Sequence, residues 1–287
     1  MILLFLSLVS CAICYENSKN MIENVLEIVH KECSFDIDSP CLQPIRETSN
    51  LFEVLPPKNL ALCRVKNEMF ETSMATMCYL NRTEQFFAQR RHIHTEDGNN
   101  WLCGVENQRD ALGQMIPPNI TYFAVITHPI DRFMNAFVKK CKGAFKSPSC
   151  YGCNSDVGCM INTIYEKSKE FSKKPYWRKF GHFYLEHFLP QTWFCPFTTD
   201  RFSIVSYASQ TKRKSANDKF LGVLHKANVT YEKLTYIETE LEQLPKTSIN
   251  LELNKKFTKE LLESEDFLRK FLHIYYFDFI YFGIQMV

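Results

Sequence analysis

The sequence predicts an α/β fold in which a parallel β-sheet is covered by helices on both faces. Two short apolar runs each lead into a segment whose apolar residues recur at helical spacing, and a third apolar run follows later. Strands that alternate with helices favour parallel pairing. About 45% of the 287 residues are apolar, which is enough for a sizeable core. Because no internal repeat or low-complexity linker is present, we expect a single domain over residues 15–287.

The first strand and helix are predicted on either side of residues 66–71. Residues 59–65 (NLALCRV) form a short apolar run. After residue 71 the apolar residues recur at helical spacing, namely at Met74, Met77, Cys78 and Leu80. This part of the chain therefore predicts a strand that turns directly into a helix.

A second strand is predicted at residues 121–126 (TYFAVI), between Pro118 and Pro129. Helical spacing follows it at Ile130, Phe133, Met134, Phe137 and Val138. Residues 202–207 (FSIVSY) predict a third strand, and residues 257–271 (FTKELLESEDFLRKF) predict an amphipathic helix. Helix N-termini beyond the carboxyl ends of parallel strands offer unpaired N–H groups to anions, so a phosphate would bind at the two strand-to-helix turns.

Charge and glycine content limit the class of ligand. Lys and Arg number 34 against 32 Asp and Glu, for a formal net charge of +2, which argues against a dedicated nucleic-acid binder. The chain has only nine glycines, so a long glycine-rich phosphate cradle is not expected. Any anion site must therefore be local.

The N-terminus predicts entry into the secretory pathway. Residues 2–14 (ILLFLSLVSCAIC) are apolar, and this block is too short to span a bilayer. It fits a cleaved signal peptide over residues 1–14, with a short membrane anchor or a lipid-modified Cys11 as alternatives. The apolar terminal segment 271–287 contains His273 and Asp278, so we expect it to be buried in the protein rather than to cross a membrane.

The cysteines predict disulfides. Of the 12 cysteines, two lie in the signal, which leaves Cys33, Cys41, Cys63, Cys78, Cys103, Cys141, Cys150, Cys153, Cys159 and Cys195. An even set in a secretory chain favours disulfide pairing. Cys150, Cys153 and Cys159 indicate a stapled loop; a zinc site at the first two is the alternative, although no second pair at finger spacing follows. N-glycosylation triplets begin at Asn81, Asn119 and Asn228 and agree with a lumenal chain.

Four segments in order resemble those of the Golgi carbohydrate sulfotransferases, the family of the chondroitin and dermatan enzymes. They are residues 63–80 (CRVKNEMFETSMATMCYL), 127–141 (THPIDRFMNAFVKKC), 187–195 (HFLPQTWFC) and 275–283 (YYFDFIYFG). The third is similar to a His-Phe-x-Pro-Gln stretch of an expanded nematode branch. The resemblance implies a P-loop-like α/β sulfotransferase fold, the sulfuryl donor 3′-phosphoadenosine-5′-phosphosulfate (PAPS), and a glycan acceptor such as a chondroitin-type chain. It also implies a location in the Golgi lumen or membrane, or secretion.

The resemblance also implies ligands, and this sequence departs from them. In the family, a Lys and a Ser-Thr pair of the first segment hold the 5′-phosphate, and an Arg and a Ser of the second hold the 3′-phosphate. Here Phe70 and Glu71 stand at the hydroxyl positions, Lys66 lies one residue early, and Thr127 and Asn135 replace the Arg and the Ser. Each lost charge-assisted hydrogen bond costs about 1.5 to 3 kcal/mol, so donor binding is expected to be weakened.

Five residues remain candidates for donor binding. A loop shifted by one residue would bring Lys66 to the 5′-phosphate, with hydroxyls from Thr72 and Ser73; the alternative is that these two hydroxyls only cap the following helix. Arg132 would reach the 3′-phosphate region, or would pair with a carboxylate such as Asp131 on a solvated helix face. Asn135 can still donate to a phosphate oxygen.

His187 is the candidate catalytic base, because it lies in the Pro-Gln segment beside Glu186. Its alternative is a structural, hydrogen-bonded histidine. His128 replaces an Asp and is expected to cap a helix or to serve as a packing replacement rather than act as a base. His92 and His94 form a basic cluster that either meets an acidic glycan or lies in a solvated loop.

No metal is predicted, and two functions remain open. One is a PAPS-dependent carbohydrate sulfotransferase. The other is a catalytically impaired family member that binds a glycan or a partner protein.

Overall fold

A computed structural model describes the chain at residues 19–36, 38–44, 51–55, 58–66, 69–96, 102–103, 108–110, 120–142, 148–173, 185–197, 202–207, 213–244 and 251–285. The signal peptide predicted over residues 1–14 lies outside these ranges, as do Cys11 and Asn119.

The described strands form one mixed sheet. They are β1 (Leu51–Leu55), β2 (Leu60–Cys63), β3 (Gln108–Asp110), β4 (Thr121–Thr127) and β5 (Phe202–Tyr207), in the order β3-β1-β2-β4-β5. β2, β4 and β5 pair in parallel, as predicted. β1 pairs antiparallel with both β2 and β3 and was not predicted. The sheet is therefore parallel on the side of the two strand-to-helix turns.

The described helices are α1 (residues 19–32), α2 (Phe70–Asn81), α3 (Thr83–Ala88), α4 (Pro129–Cys141), α5 (Val157–Ser172), α6 (Arg213–Lys226), α7 (Tyr231–Glu242), α8 (Leu251–Leu262) and α9 (Glu265–Phe282). The single helix predicted over residues 257–271 is wrong, because two helices share that range. Ser264 caps α9 by accepting a hydrogen bond from the Phe267 N–H, which starts a new helix there.

Two apolar cores lie on opposite faces of the sheet, as the alternating side chains of β4 make clear. Ala124 and Ile126 belong to one core, with residues of α1, α4, α5, α8 and α9. Phe123 and Val125 belong to the other, with residues of α2, α3, α6 and α7. Because successive strand residues point to opposite faces, the sheet is covered on both sides, as predicted.

The apolar C-terminal segment is buried inside the protein. Most of it lies in α9, where Tyr275 and Asp278 have no exposed surface and His273 is also buried. Among the described helices, we find none that is both long enough and apolar enough to cross a membrane. The predicted burial is confirmed for residues 271–279, whereas Ile280 is exposed and the described residues after it are exposed or partly buried.

Five disulfides join the ten cysteines predicted to pair. They are Cys33–Cys41, Cys63–Cys195, Cys78–Cys103, Cys141–Cys150 and Cys153–Cys159. Because Cys150 and Cys153 are each oxidised with a different partner, neither has a thiolate to offer, and the zinc alternative at this pair is wrong. The stapled loop is confirmed, although Cys159 lies in the first turn of α5.

Candidate functional site

The two predicted strand-to-helix turns lie side by side. β2 and β4 are parallel neighbours, with Cys63 opposite Ala124. β2 ends at Cys63 and α2 begins at Phe70, while β4 ends at Thr127 and α4 begins at Pro129. Both helix N-termini therefore leave the same edge of the sheet, where ligands of such sheets bind.

In the first turn, an aromatic ring occupies the position that the resemblance assigns to a hydroxyl. The Lys66 Nζ lies 3.8 Å from the centroid of the Phe70 ring, and the Arg64 guanidinium carbon lies 5.6 Å from it. Burial lowers the pKa of Lys66, and the negative charge of Glu186 opposes this shift. Glu71, at the second hydroxyl position, is exposed to solvent. In the first turn, the partly desolvated ammonium group of Lys66 therefore lies on the Phe70 ring, and the next residue in sequence is the carboxylate Glu71.

Thr72 and Ser73 lie in the first turn of α2, and both are buried. The residue that caps the helix is Met69, and no side chain makes a capping hydrogen bond there, so the capping alternative for the two hydroxyls is wrong. The Ser73 Oγ is buried without a hydrogen-bond partner among the described residues. A buried hydroxyl without a hydrogen-bond partner is unfavourable. A phosphate or sulfate oxygen that accepted a hydrogen bond from the Ser73 hydroxyl would remove that cost.

The second turn is fixed by His128 and Gln191. The His128 Nδ1 accepts from the Ile130 N–H at 3.3 Å, which confirms the predicted cap, and its Nε2 lies 3.1 Å from the Gln285 carbonyl oxygen. The Gln191 side-chain amide accepts from the Thr127 N–H at 3.0 Å and donates to the Thr127 carbonyl at 2.8 Å. The Gln191 amide therefore pairs with the end of β4 as a neighbouring strand would.

Arg132 is buried, with 3% of its surface exposed, and it donates to three backbone carbonyls. Its Nε donates to Lys66 at 2.8 Å, its Nη1 to Leu189 at 2.5 Å and its Nη2 to Glu186 at 2.8 Å. The alternative of a solvated helix face is therefore wrong. Three of the five guanidinium N–H groups are thus held by backbone carbonyls, so in this geometry Arg132 positions the segments that carry Lys66, Glu186 and Leu189.

Residues 185–197 contain His187 and are attached to every part of the site. Cys195 is bonded to Cys63 at the end of β2. Asp278 of α9 accepts from the N–H groups of Gln191 and Thr192 at 2.7 and 2.8 Å, and from the Thr192 hydroxyl at 2.8 Å. These contacts position the candidate base relative to both turns.

His187 is surrounded by positive charge. Burial lowers the pKa of its imidazole to about 3, with further lowering by the cations of Lys140, Arg132, Lys66 and Lys139. The imidazole is therefore neutral at pH 7 and able to accept a proton. The same cations make this edge of the sheet favourable for an anion.

The remaining candidates lie elsewhere. The Asn135 Oδ1 accepts a hydrogen bond from the Asn254 amide of α8, which ties this side chain to the helix layer. His92 and His94 face Glu240 of α7, away from the two turns. The structure thus brings Lys66 and His187 into one electrostatic environment, with Thr72 and Ser73 in the same turn as Lys66.

Sequence reasoning missed two positioning residues, Gln191 and Asp278. Both lie in segments that carried the family resemblance, so their position in those motifs was the available signal. Their partners are 64 and 86 to 87 residues away in sequence, so the pairing itself could not be read from spacing.

Comparisons with known proteins identify the family of the chain. The profile described as "Sulfotransferase family" matches residues 50–285. The chain is 28% identical over 250 residues to the Caenorhabditis elegans carbohydrate sulfotransferase chst-1. The aligned region covers 82% of this chain and 75% of that protein. It is 24% identical over 279 residues to an uncharacterized C. elegans protein. That aligned region covers 92% of this chain and 77% of the relative. No solved structure matches the chain.

The chain therefore belongs to the sulfotransferase family, as the resemblance of its four segments predicted. Most of the match lies in the described α/β domain, and it includes both strand-to-helix turns.

Proposed function

We propose that this protein is a carbohydrate sulfotransferase that takes PAPS as donor and a glycan hydroxyl, of the chondroitin type by resemblance, as acceptor. The observation that carries the proposal is the neutral His187 among the cations of Lys66 and Lys140, at the edge where two adjacent parallel strands end. A donor with three anionic groups fits such an edge in charge. The name of the relative chst-1 supports a carbohydrate acceptor.

The reaction would use the neutral imidazole as base. The acceptor hydroxyl oxygen forms a bond to the donor sulfur, the bond from sulfur to the bridging phosphate oxygen breaks, and the hydroxyl proton moves to His187. Adenosine 3′,5′-bisphosphate leaves with the charge of the bridging oxygen. Lys66 would stabilise that negative charge after its ammonium group moves from the Phe70 ring toward the bridging oxygen.

Donor binding would also strengthen the base. The cations of Lys66 and Lys140 disfavour the protonated form of His187. Phosphates placed among these cations offset their positive field, so the pKa of the imidazole would rise toward its ordinary value. A base whose pKa lies closer to the working pH accepts a proton more readily.

A second candidate function is supported by the first turn. Phe70 fills the place of a hydroxyl, Glu71 adds a carboxylate that repels phosphate, and Arg132 is engaged by backbone carbonyls. These features suit a family member that keeps the fold, does not transfer sulfuryl groups, and binds a glycan or a partner protein.

Calorimetric titration with adenosine 3′,5′-bisphosphate separates the two functions. Micromolar binding, and a loss of about tenfold to a hundredfold in Lys66→Met, would support the enzyme. The exposed Lys219 of α6 offers a matched control, Lys219→Met. No binding at millimolar nucleotide would leave the non-catalytic function. Radiolabelled sulfate transfer from PAPS to desulfated glycans, with chondroitin first, then identifies the acceptor.

The proposal includes a secretory location, with residues 1–14 as signal and residues 15–287 as the mature domain. Five disulfides support an oxidising compartment. Asn228 is exposed and begins an acceptor triplet, so we expect a glycan there. Expression in a eukaryotic secretory host should give a species whose mobility changes in Asn228→Gln and not in Asn162→Gln, which removes no acceptor. Retention in the Golgi or release into the medium is read in the same cells.

A further inference from the structure

A cluster of two histidines and one glutamate lies on the other helix layer. His92 and His94 flank Ile93 in the short 3-10 turn after α3, and Glu240 lies near the end of α7. The His92 Nδ1 lies 3.1 Å from the Glu240 Oε1, and the His94 Nδ1 lies 2.9 Å from the Oε2. The Glu240 carboxylate is therefore approached by the same ring nitrogen of two imidazoles.

The histidines contact Glu240, whereas the adjacent arginine pairs with another carboxylate. Glu240 is buried, with 5% of its surface exposed, and a buried carboxylate requires compensation. Arg91, which precedes His92, instead pairs with Glu96 at 2.7 and 3.0 Å. The Glu240 carboxylate is contacted by both imidazoles and by the His94 backbone N–H at 3.3 Å, and a bound cation would take the place of the two imidazole contacts.

The spacing of the three ligand atoms fits a small metal ion. All of them lie within 4.8 Å of one another. Tetrahedral zinc, with ligand bonds of about 2.0 to 2.1 Å, places neighbouring ligand atoms about 3.3 Å apart. The His92 and His94 nitrogens lie 3.1 and 2.9 Å from the two different oxygens of Glu240, slightly closer than that value, so an ion could enter with small side-chain adjustments that turn one of these oxygens toward it.

We propose that His92, His94 and Glu240 bind a zinc ion. Two imidazole nitrogens and a carboxylate oxygen form a donor set typical of zinc, and three protein ligands leave one position for water. The half-exposed His92 side chain gives solvent access to that position. Each imidazole would bind through Nδ1 and keep its proton on Nε2.

The ion would tie the turn after α3 to α7. The ligands come from positions 146 and 148 residues apart, which is why sequence spacing predicted no metal here. The site shares no residue with the proposed donor-binding site, because its ligands come from the turn after α3 and from α7 rather than from the two strand-to-helix turns. Its failure and the failure of the proposed sulfotransferase activity can therefore be told apart.

The test uses the full secreted chain after removal of metal with a chelator. Titration with zinc chloride should show one saturable site per chain, and cobalt(II) should give the visible absorption of a tetrahedral complex. Removing an outer partner of a metal site weakens affinity about tenfold to a hundredfold, so loss of a direct ligand in His94→Ala or Glu240→Gln should weaken it by at least about a hundredfold. The exposed His225 gives the matched control His225→Ala, whose zinc affinity should be unchanged.

Two results would overturn the proposal. One is the absence of a one-to-one site in the unaltered chain. The other is zinc affinity that His92→Ala, His94→Ala and Glu240→Gln all retain, since zinc would then bind elsewhere. Should Glu240→Gln fail to fold, the half-exposed His92 provides a variant with little effect on the core. Thermal unfolding with and without zinc should show a rise in Tm that His92→Ala loses and His225→Ala keeps.

Discussion

The Lys66 Nζ lies 3.8 Å from the centroid of the Phe70 ring, so the cation expected to meet the donor phosphate already has a partner. Such cation–π contacts contribute about 0.5 to 2 kcal/mol, and more when the pair is desolvated. A phosphate must therefore compete with the ring for Lys66. The exposed carboxylate of Glu71 follows directly in sequence and opposes an anion at the same helix N-terminus.

Restoring hydroxyls at these positions should strengthen nucleotide binding. In Phe70→Ser/Glu71→Thr, Lys66 loses its aromatic partner, a repelling carboxylate is removed, and two donors are added. One or two charge-assisted hydrogen bonds, at about 1.5 to 3 kcal/mol each, correspond to a gain of roughly tenfold or more. Calorimetric titration with adenosine 3′,5′-bisphosphate measures the change.

The control for this variant is Glu260→Thr, which removes an exposed carboxylate of α8. It should leave the affinity within twofold. An affinity unchanged in Phe70→Ser/Glu71→Thr would show that the loop is aligned incorrectly with the family.

Arg132→Lys should destabilise the protein, because one ammonium group cannot replace a guanidinium that serves three carbonyls. The expected loss in the free energy of unfolding is about 3 kcal/mol, measured by urea denaturation. Lys139→Met on the exposed face of the same helix is the control, with a change below about 0.5 kcal/mol. A stable Arg132→Lys that loses nucleotide affinity would return Arg132 to the phosphate ligands.

The Cys63–Cys195 disulfide should contribute more stability than a short one. It joins residues 132 positions apart, whereas Cys153 and Cys159 are six apart. Loop-closure entropy gives about 4 to 5 kcal/mol for the long loop and about 2 kcal/mol for the short one. Denaturation of Cys63→Ala/Cys195→Ala and of Cys153→Ala/Cys159→Ala compares them. Equal losses would contradict the entropic argument, and nucleotide affinity should fall only in the first variant.

The protein should become less stable as the pH is lowered, because the folded state disfavours the protonated form of His187. The unfolded imidazole titrates near pH 6.5, and the folded one near pH 3. Between these values the unfolded chain binds a proton that the folded chain does not, so lowering the pH favours unfolding and raising it above 6.5 adds nothing further. The contribution amounts to about 2 kcal/mol between pH 7 and pH 5.

This pH dependence is measured as the difference in the free energy of unfolding at the two pH values. His187→Gln should reduce the difference by about 2 kcal/mol, while His225→Gln, an exposed control, should not. An equal pH dependence in the unaltered chain and in His187→Gln would mean that the imidazole is not buried among cations.

The central strands could be predicted from sequence, and the edge of the sheet could not. β2, β4 and β5 are short, largely apolar runs, as expected for parallel strands covered on both faces. β1 (LFEVL) is apolar at four of its five positions, but it pairs antiparallel with both of its neighbours. β3 is the polar tripeptide Gln-Arg-Asp and lacks the apolar pattern of a strand. Their position depends on partners in the folded sheet, which local sequence does not contain.

The candidate site was predictable to the same extent. Lys66 and His187 lie in segments that resemble family motifs. A lysine suggests anion binding and a histidine suggests proton transfer, so both candidates could be named from sequence. The hydrogen bonds of Arg132 to carbonyls could not be foreseen, because all three acceptors lie more than 50 residues away along the chain. The sequence does not distinguish a charged residue that faces solvent from one that is buried and bonded to the backbone.

The five disulfides also constrain how the chain matures. The spans 78–103, 141–150 and 153–159 lie inside the span 63–195, the span 33–41 lies outside it, and no two interleave. Short pairs can close as soon as both cysteines have been synthesised, whereas Cys63 must wait until Cys195 has emerged. A nascent chain therefore carries a free thiol at the end of β2, beside the first strand-to-helix turn, until late in synthesis, and the bond that joins this turn to residues 185–197 is among the last to form.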